Sequence, residues 1–209
     1  MRKALTIGEL LITMAIIGII AVLVLPGFLK DYHKKLYVAH LKKVYEMLDN
    51  AVNQACTDNN VSYFYQTPYG ASGNQQDFID TYFKKSSSSS SSSSSDVFSA
   101  SYTSLYGSST SFSVQTSGSG WGKLTGGEEI LFYCDWTGMC VFYVDINSTD
   151  GPNIMGRDFF TIALDTHTNQ LGGEYNSSGD TFDPDNCTAS AYGEGCLELI
   201  MRDNWSMEY

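Results

Sequence analysis

The chain begins with a long apolar segment that carries one carboxylate, Glu9, close to its start. From Leu10 to Leu29 every residue is apolar apart from Thr13. At a rise of about 1.5 Å per residue, a helix of this length crosses a bilayer core of about 30 Å, so we predict a membrane span. An ionised side chain in hydrocarbon costs several kcal/mol, so Glu9 needs a partner and indicates a function.

The charges around the span indicate its orientation. Arg2 and Lys3 precede it, which favours a cytoplasmic N-terminus and export of the remaining chain. An ordinary secretory signal has its cleavage site after the apolar stretch. Here a small residue, Ala4, stands before the stretch, which is the reverse order.

A four-residue basic leader ending in a small residue, then an apolar helix with Glu at its fifth position, resembles the class III signal of type IV prepilins and type II secretion pseudopilins. The resemblance covers roughly the first fifty residues. It depends on the basic leader, the small residue at the cleavage site, the carboxylate and the apolar span all occurring at the family's spacing. It implies that prepilin peptidase cuts between Ala4 and Leu5 and that Leu5 is then N-methylated. The family usually has Gly in place of Ala4 and Phe in place of Leu5.

The resemblance also implies how subunits assemble. In that family the new ammonium, here on Leu5, pairs with the carboxylate of a neighbouring subunit, here Glu9. Gly18 and Pro26 occupy the positions that bracket a stretch able to unwind in the filament. The alternatives from the residues alone are an uncleaved signal anchor with Glu9 at headgroup level, and an ordinary membrane-helix kink.

We expect the helix to continue over residues 30–56 as an amphipathic half. Apolar residues recur there at three- and four-residue steps, and Asp58-Asn59-Asn60 is expected to end the helix. The recurring positions are Tyr37, Leu41, Val44, Leu48, Ala51 and Ala55. This apolar stripe should pack on a globular domain, as in the lollipop shape of pilins.

Residues 57–127 are interpreted as a Ser/Gly-rich loop region without hydrophobic periodicity. It contains an unbroken serine run from Ser86 to Ser95, which is typical of a flexible linker or of O-glycosylation. Five Asn-x-Ser/Thr sequons occur, at Asn60, Asn147, Asn176, Asn186 and Asn204. The first three have an acidic residue two places earlier, which makes Asn60, Asn147 and Asn176 weaker candidate glycosylation sites.

Residues 128–209 read as the folded β part. Glu129–Cys134 and Met139–Val144 predict a hairpin, Asp158–Asp165 predicts a third strand, and Asn169–Gly173 is expected to be the turn after it. Three or four antiparallel strands packed on the amphipathic helix give an α+β fold: a long N-terminal helix on a small antiparallel sheet, as in pilins.

The five cysteines fall on the exported side, where disulfides persist. Local pairing of Cys134 with Cys140 and of Cys187 with Cys196 is preferred and leaves Cys56 over, although other connectivities stay open. Type IV pilins often close a C-terminal loop with a disulfide, so the resemblance favours the Cys187–Cys196 pair.

Oxygen-bearing residues alternate in the Gly-containing segment after the predicted hairpin. Oxygen ligands with this spacing suit Ca²⁺, although no Glu closes the loop as in an EF-hand. The candidate ligands are Asp145, Asn147, Asp150, Asn153 and Asp158. The favoured alternative is a pair of turns capped by Asn and Asp side chains, so we expect no required cofactor.

Charge limits the partners. From Val44 onward there are 21 acidic and 5 basic residues, a balance of −16, so we expect no nucleic-acid partner. No nucleophile elbow, P-loop, H-E-x-x-H or C-x-x-C motif is present, so we expect no enzyme.

The resemblance and these exclusions favour a structural subunit of an extracellular type IV pilus-like filament. The precursor would lie in the bacterial inner membrane and would meet prepilin peptidase and the pilus assembly platform. The mature subunit would join a helical homo-oligomer. The alternatives are a pseudopilin in a periplasmic pseudopilus of a type II secretion system and a membrane-tethered binding domain.

Overall fold

The computed structural model describes residues 6–71, 73–86, 98, 101–108, 118–134, 139–148, 150–172, 184, 187, 193 and 195–209. The chain divides into two compact units, Met1–Leu36 and Tyr37–Tyr209.

The first unit is helical and apolar. Helix α1 spans Ile7–Asp58, and Pro26 lies inside it. None of the residues in its most apolar 18-residue window is buried, and the helix is long and apolar enough to cross a membrane.

In the second unit, the rest of α1 presents one buried stripe. The positions buried there are Val38, Leu41, Val44, Leu48, Ala51, Val52, Ala55 and Cys56. They recur at three- and four-residue steps, which places them on one side of a helix with 3.6 residues per turn. The predicted amphipathic half is therefore confirmed, as is its end at Asp58.

The second unit also contains a five-stranded antiparallel sheet in which each strand pairs with the next along the chain. Its strands are β1 (Gly120–Lys123), β2 (Glu129–Cys134), β3 (Met139–Asp145), β4 (Phe159–Asp165) and β5 (Gln170–Gly172). The described residues of this unit also form two short α-helices: α2 over Gln75–Tyr82 and α3 over Cys196–Arg202.

Strand pleating sends alternate side chains to opposite faces. On the inner face, Phe132 of β2 lies opposite Phe142 of β3 and stacks on it at 4.4 Å between ring centroids. Phe78 of α2 packs against Phe132 at 4.9 Å. This face shares one core with the α1 stripe. The α+β class, with a helix packed on a small antiparallel sheet, is confirmed.

The outer face of the sheet is covered as well. Smaller clusters form there around Trp121 and Leu131, and around Tyr102, Met155 and Phe159. Strands buried on both faces explain why β2 reads as a nearly continuous apolar run.

The structure differs from the sequence interpretation in two segments. The region 57–127, expected to be a loop, contains a short 3-10 helix at Phe64–Gln66, helix α2 and strand β1. Residues expected to form a turn after the third strand form β5, and the turn itself precedes them, with Asn169 donating its backbone N–H to the Asp165 carbonyl. Short elements of this kind offer too few residues for a period to show.

Candidate functional site

The carboxylate predicted to act in assembly lies in the first turn of α1 and has a local partner. The backbone N–H and the hydroxyl of Thr6 both donate to Glu9 Oε2, at 2.9 and 2.8 Å. In return the Glu9 N–H donates to Thr6 Oγ1 at 3.3 Å. This reciprocal arrangement is a capping box, which satisfies donors that a helix start leaves unpaired.

The other predicted assembly residues lie within the helix. No atom lies within 4 Å of the position that a Cβ on Gly18 would take. Helix α1 continues through Pro26 without interruption. Both side-chain positions are exposed, so this surface of the first unit is available to a membrane or to neighbouring helices. The cleavage-site residues Ala4 and Leu5 lie outside the described residues.

Two disulfides close local loops in the second unit. Cys134 and Cys140 are bonded across the β2–β3 hairpin, and Cys187 is bonded to Cys196 at the start of α3. Cys56 is a free, buried cysteine of α1, and burial raises the pKa of its thiol. The preferred local pairing is thus the one present in the structure.

The segment between β3 and β4 brings the predicted calcium ligands onto two neighbouring turns. Asp158 accepts hydrogen bonds from the N–H groups of Asn153 at 2.7 Å and Ile154 at 2.6 Å. Asp145 accepts one from the Asn147 N–H at 3.1 Å. These are side-chain caps of turns, which is the bonding expected of Asn and Asp in such loops.

Burial changes the protonation of this segment. Asp145 and Asp158 are fully buried. Burial raises the pKa of Asp145 to about 7, against the opposing hydrogen bonds from the Tyr102 hydroxyl and the Asn147 N–H. Burial also raises the pKa of Asp158, opposed by its backbone donors. The phenol of Tyr102 has a raised pKa for the same reason, so it is the donor in its bond to Asp145.

Metal binding by this segment stays a prediction. Over the described part of the chain, no group of three or more His, Cys, Asp or Glu side chains is placed to hold a metal ion. The buried side-chain oxygens of Asn147 and Asn153 have no hydrogen-bond partner among the described residues.

The candidate glycosylation residues have different surroundings. Asn60 is exposed just after α1, and Ser86 is exposed after α2. Asn147 is half-buried, and its amide donates to the carbonyls of Asp150 and Gly151, so attachment of a sugar there, which replaces one amide hydrogen, would remove at least one of these bonds. Asn176 and Ser95 lie outside the described residues.

Two buried carboxylates at the β1–β2 hairpin were not singled out by the sequence analysis. Glu129 accepts from Ser148 Oγ at 2.6 Å and from Lys123 Nζ at 3.4 Å. Glu128 accepts from Lys43 Nζ at 2.7 Å, which joins the hairpin to α1. The adjacent pair of Glu residues at the start of an otherwise apolar strand was the only signal in the sequence.

Comparison with known proteins gives no assignment. No protein-family model, curated protein or solved structure matches this chain.

Proposed function

We propose that this protein is a structural subunit of an extracellular type IV pilus-like filament. It is made as a prepilin, cleaved after Ala4 and polymerised through the first half of α1. The mature subunit leaves the inner membrane when it joins the filament.

The observation that carries the proposal is a carboxylate at the start of an apolar, unburied helix. A helix that exposes this much apolar surface must be covered by lipid or by other helices. Glu9 is the only acidic residue in the span, and its local bonds to Thr6 involve only Oε2. The second carboxylate oxygen can receive the ammonium of a neighbouring Leu5 without loss of the capping box.

The second unit supports the proposal as the exported head of such a subunit. It has its own core, two disulfides and a strongly acidic composition, which suit a domain that folds outside the cytoplasm and stays soluble. We propose that this unit forms the outer surface of the filament, where its excess of acidic residues disfavours a nucleic-acid partner.

The first experiment replaces Glu9 with Val in the full chain. We expect the precursor to insert into the membrane and its head to fold, but filament assembly to fall at least about tenfold, because the Leu5 ammonium would enter an apolar core unpaired. Filaments sheared from cells are counted by electron microscopy, and membrane-bound subunit is measured by immunoblotting.

The matched control is Thr13→Val, which also removes a polar group from the span but carries no charge. We expect it to assemble normally. Normal filament yield from Glu9→Val would contradict the proposal. Short periplasmic assemblies in place of long surface filaments would indicate the pseudopilin alternative.

A further inference from the structure

The second unit has a pocket of about 430 Å³ where α1 meets the end of α2 and the β1–β2 hairpin. Its volume is in the range of small-molecule sites in proteins. Its lining includes Lys43, Met47, Ala51, Lys84, Leu124 and Glu128. None of these residues belongs to the assembly helix of the first unit or to the calcium segment.

One wall of the pocket holds a carboxylate with an unmet hydrogen bond. Glu128 is 1% exposed, and its Oε1 pairs with Lys43 Nζ at 2.7 Å. Its Oε2 is buried and has no hydrogen-bond partner among the described residues. A buried acceptor left without a donor is unfavourable, and more so when it is charged, so a ligand that supplies a donor here is favoured.

The hairpin is shaped to hold this carboxylate. A Cβ added to Gly126 would stand 2.3 Å from Glu128 Oε2 and 2.7 Å from Lys43 Nζ. The Glu128–Lys43 ion pair therefore occupies the space next to the Gly126 Cα, and any side chain at position 126 would displace it. Lys43 is 54% exposed, so it is the member of the pair that can move to admit a ligand.

The other side chains that line the pocket indicate which further groups a ligand should carry. Met47, Ala51 and Leu124 supply an apolar wall. Lys84 is exposed and makes no ion pair with any described residue, whereas its neighbour Lys85 is paired with Asp80. The pocket thus combines a buried acceptor, an apolar wall and an exposed ammonium.

We propose that this pocket binds a small zwitterion of the amino-acid class with an apolar side chain. The ligand ammonium donates to Glu128 Oε2, the side chain packs on Met47 and Leu124, and the carboxylate pairs with Lys84. Charge-assisted bonds at both ends distinguish such a ligand from a neutral sugar, which would leave Lys84 without a counterion.

The test uses the full chain in detergent and four probes: L-leucine, N-acetyl-L-leucine, L-leucinamide and glucose. We expect saturable binding of leucine by calorimetry, with perturbed methyl resonances of Met47. N-acetylation removes the ammonium and amidation removes the carboxylate, so each analogue should bind about tenfold more weakly or worse. Equal binding of leucine and either analogue would overturn the proposal, as would binding of glucose but not of leucine.

Two variants locate the site. Glu128→Gln and Lys84→Met should each reduce leucine affinity about tenfold or more, whereas the matched controls Glu208→Gln and Lys35→Met should leave it unchanged. Lys84 is exposed, so its variant tests the site even if Glu128→Gln fails to fold. Unchanged affinity in Lys84→Met, or no leucine binding to the unaltered chain, would refute the assignment.

Discussion

At the scale of single residues, three buried carboxyl groups lie close together at the outer face of the sheet. Asp145 and Asp158 are fully buried, and Glu129 is 5% exposed. The negative charges of Asp158 and Glu129 add to the effect of burial on Asp145. A carboxyl in such surroundings favours its neutral form, so its ionisation is coupled to folding.

The coupling predicts how stability depends on pH. The Asp145 carboxyl has a pKa of about 7 in the folded chain and about 4 when unfolded, so its contribution to stability is complete below pH 4 and is lost as the pH rises towards 7. The loss is on the order of 4 kcal/mol by linkage. We therefore expect Asp145→Asn, which has no charge to bury, to be progressively more stable than the unaltered chain over this interval.

Urea unfolding of the detergent-solubilised chain at a series of pH values measures this difference. Asp150→Asn is the matched control, because Asp150 is exposed in the same segment. It should keep a constant difference from the unaltered chain. A constant difference for Asp145→Asn would show that the carboxyl is ionised in the folded state at all these values.

At the scale of elements, the two halves of α1 differ in the burial of their apolar side chains. Leu48 is fully buried in the core of the second unit, whereas Leu29 is 49% exposed in the first. Both are leucines of one helix, but shortening Leu48 removes packing contacts in a buried core, whereas the side chain of Leu29 is half exposed.

We expect Leu48→Ala to destabilise the second unit by about 2–5 kcal/mol, because it leaves a cavity between α1 and the sheet. Leu29→Ala makes the same chemical change in the same helix and should leave the unfolding free energy of the second unit within about 0.5 kcal/mol of its original value. Chemical denaturation followed by tryptophan fluorescence compares the two. Equal losses would contradict the division of α1 between two units.

At the scale of the whole molecule, the proposed function requires a precursor and a mature form. If prepilin peptidase processes the chain, the assembled protein begins at Leu5 and carries an N-methyl group there. The basic leader would otherwise place Arg2 and Lys3 inside an apolar filament core, which is unfavourable without partners.

Intact-mass measurement of sheared filaments against the mass calculated for the full chain tests this expectation. The filament form should lack the mass of residues 1–4 and gain one methyl group. Ala4→Trp, which enlarges the residue before the cut, should retain the full mass and stay in the membrane. Assembled filaments that keep Arg2 and Lys3 would refute processing.

The strong periodic segments of this protein could be predicted from its sequence. The span is an unbroken apolar run long enough to identify, and the amphipathic stripe around Leu48 and the β2–β3 hairpin each extend a pattern over enough residues to be recognised. The local disulfides were also favoured, because Cys134 and Cys140 flank a predicted turn and Cys187 and Cys196 bound a short loop. That reasoning only made local pairing the preferred choice among the open connectivities, and the structure shows it.

Only the tertiary structure decided which polar residues lie together. Glu128 is buried against Lys43, 85 positions away in sequence, and Tyr102 reaches Asp145 from 43 positions away. Local periodicity carries no information on such distances, since it reports which face of an element is apolar and not which element covers it. The sequence thus determined the elements whose hydrophobic pattern extends over many residues, and the long apolar segment at the start of the chain. The packing of α2, β1 and the hairpin on α1 determined the pocket, and the segment around Tyr102 helps to bury Asp145 on the outer face of the sheet. Neither follows from the sequence alone, because burial depends on contacts between segments far apart in the chain.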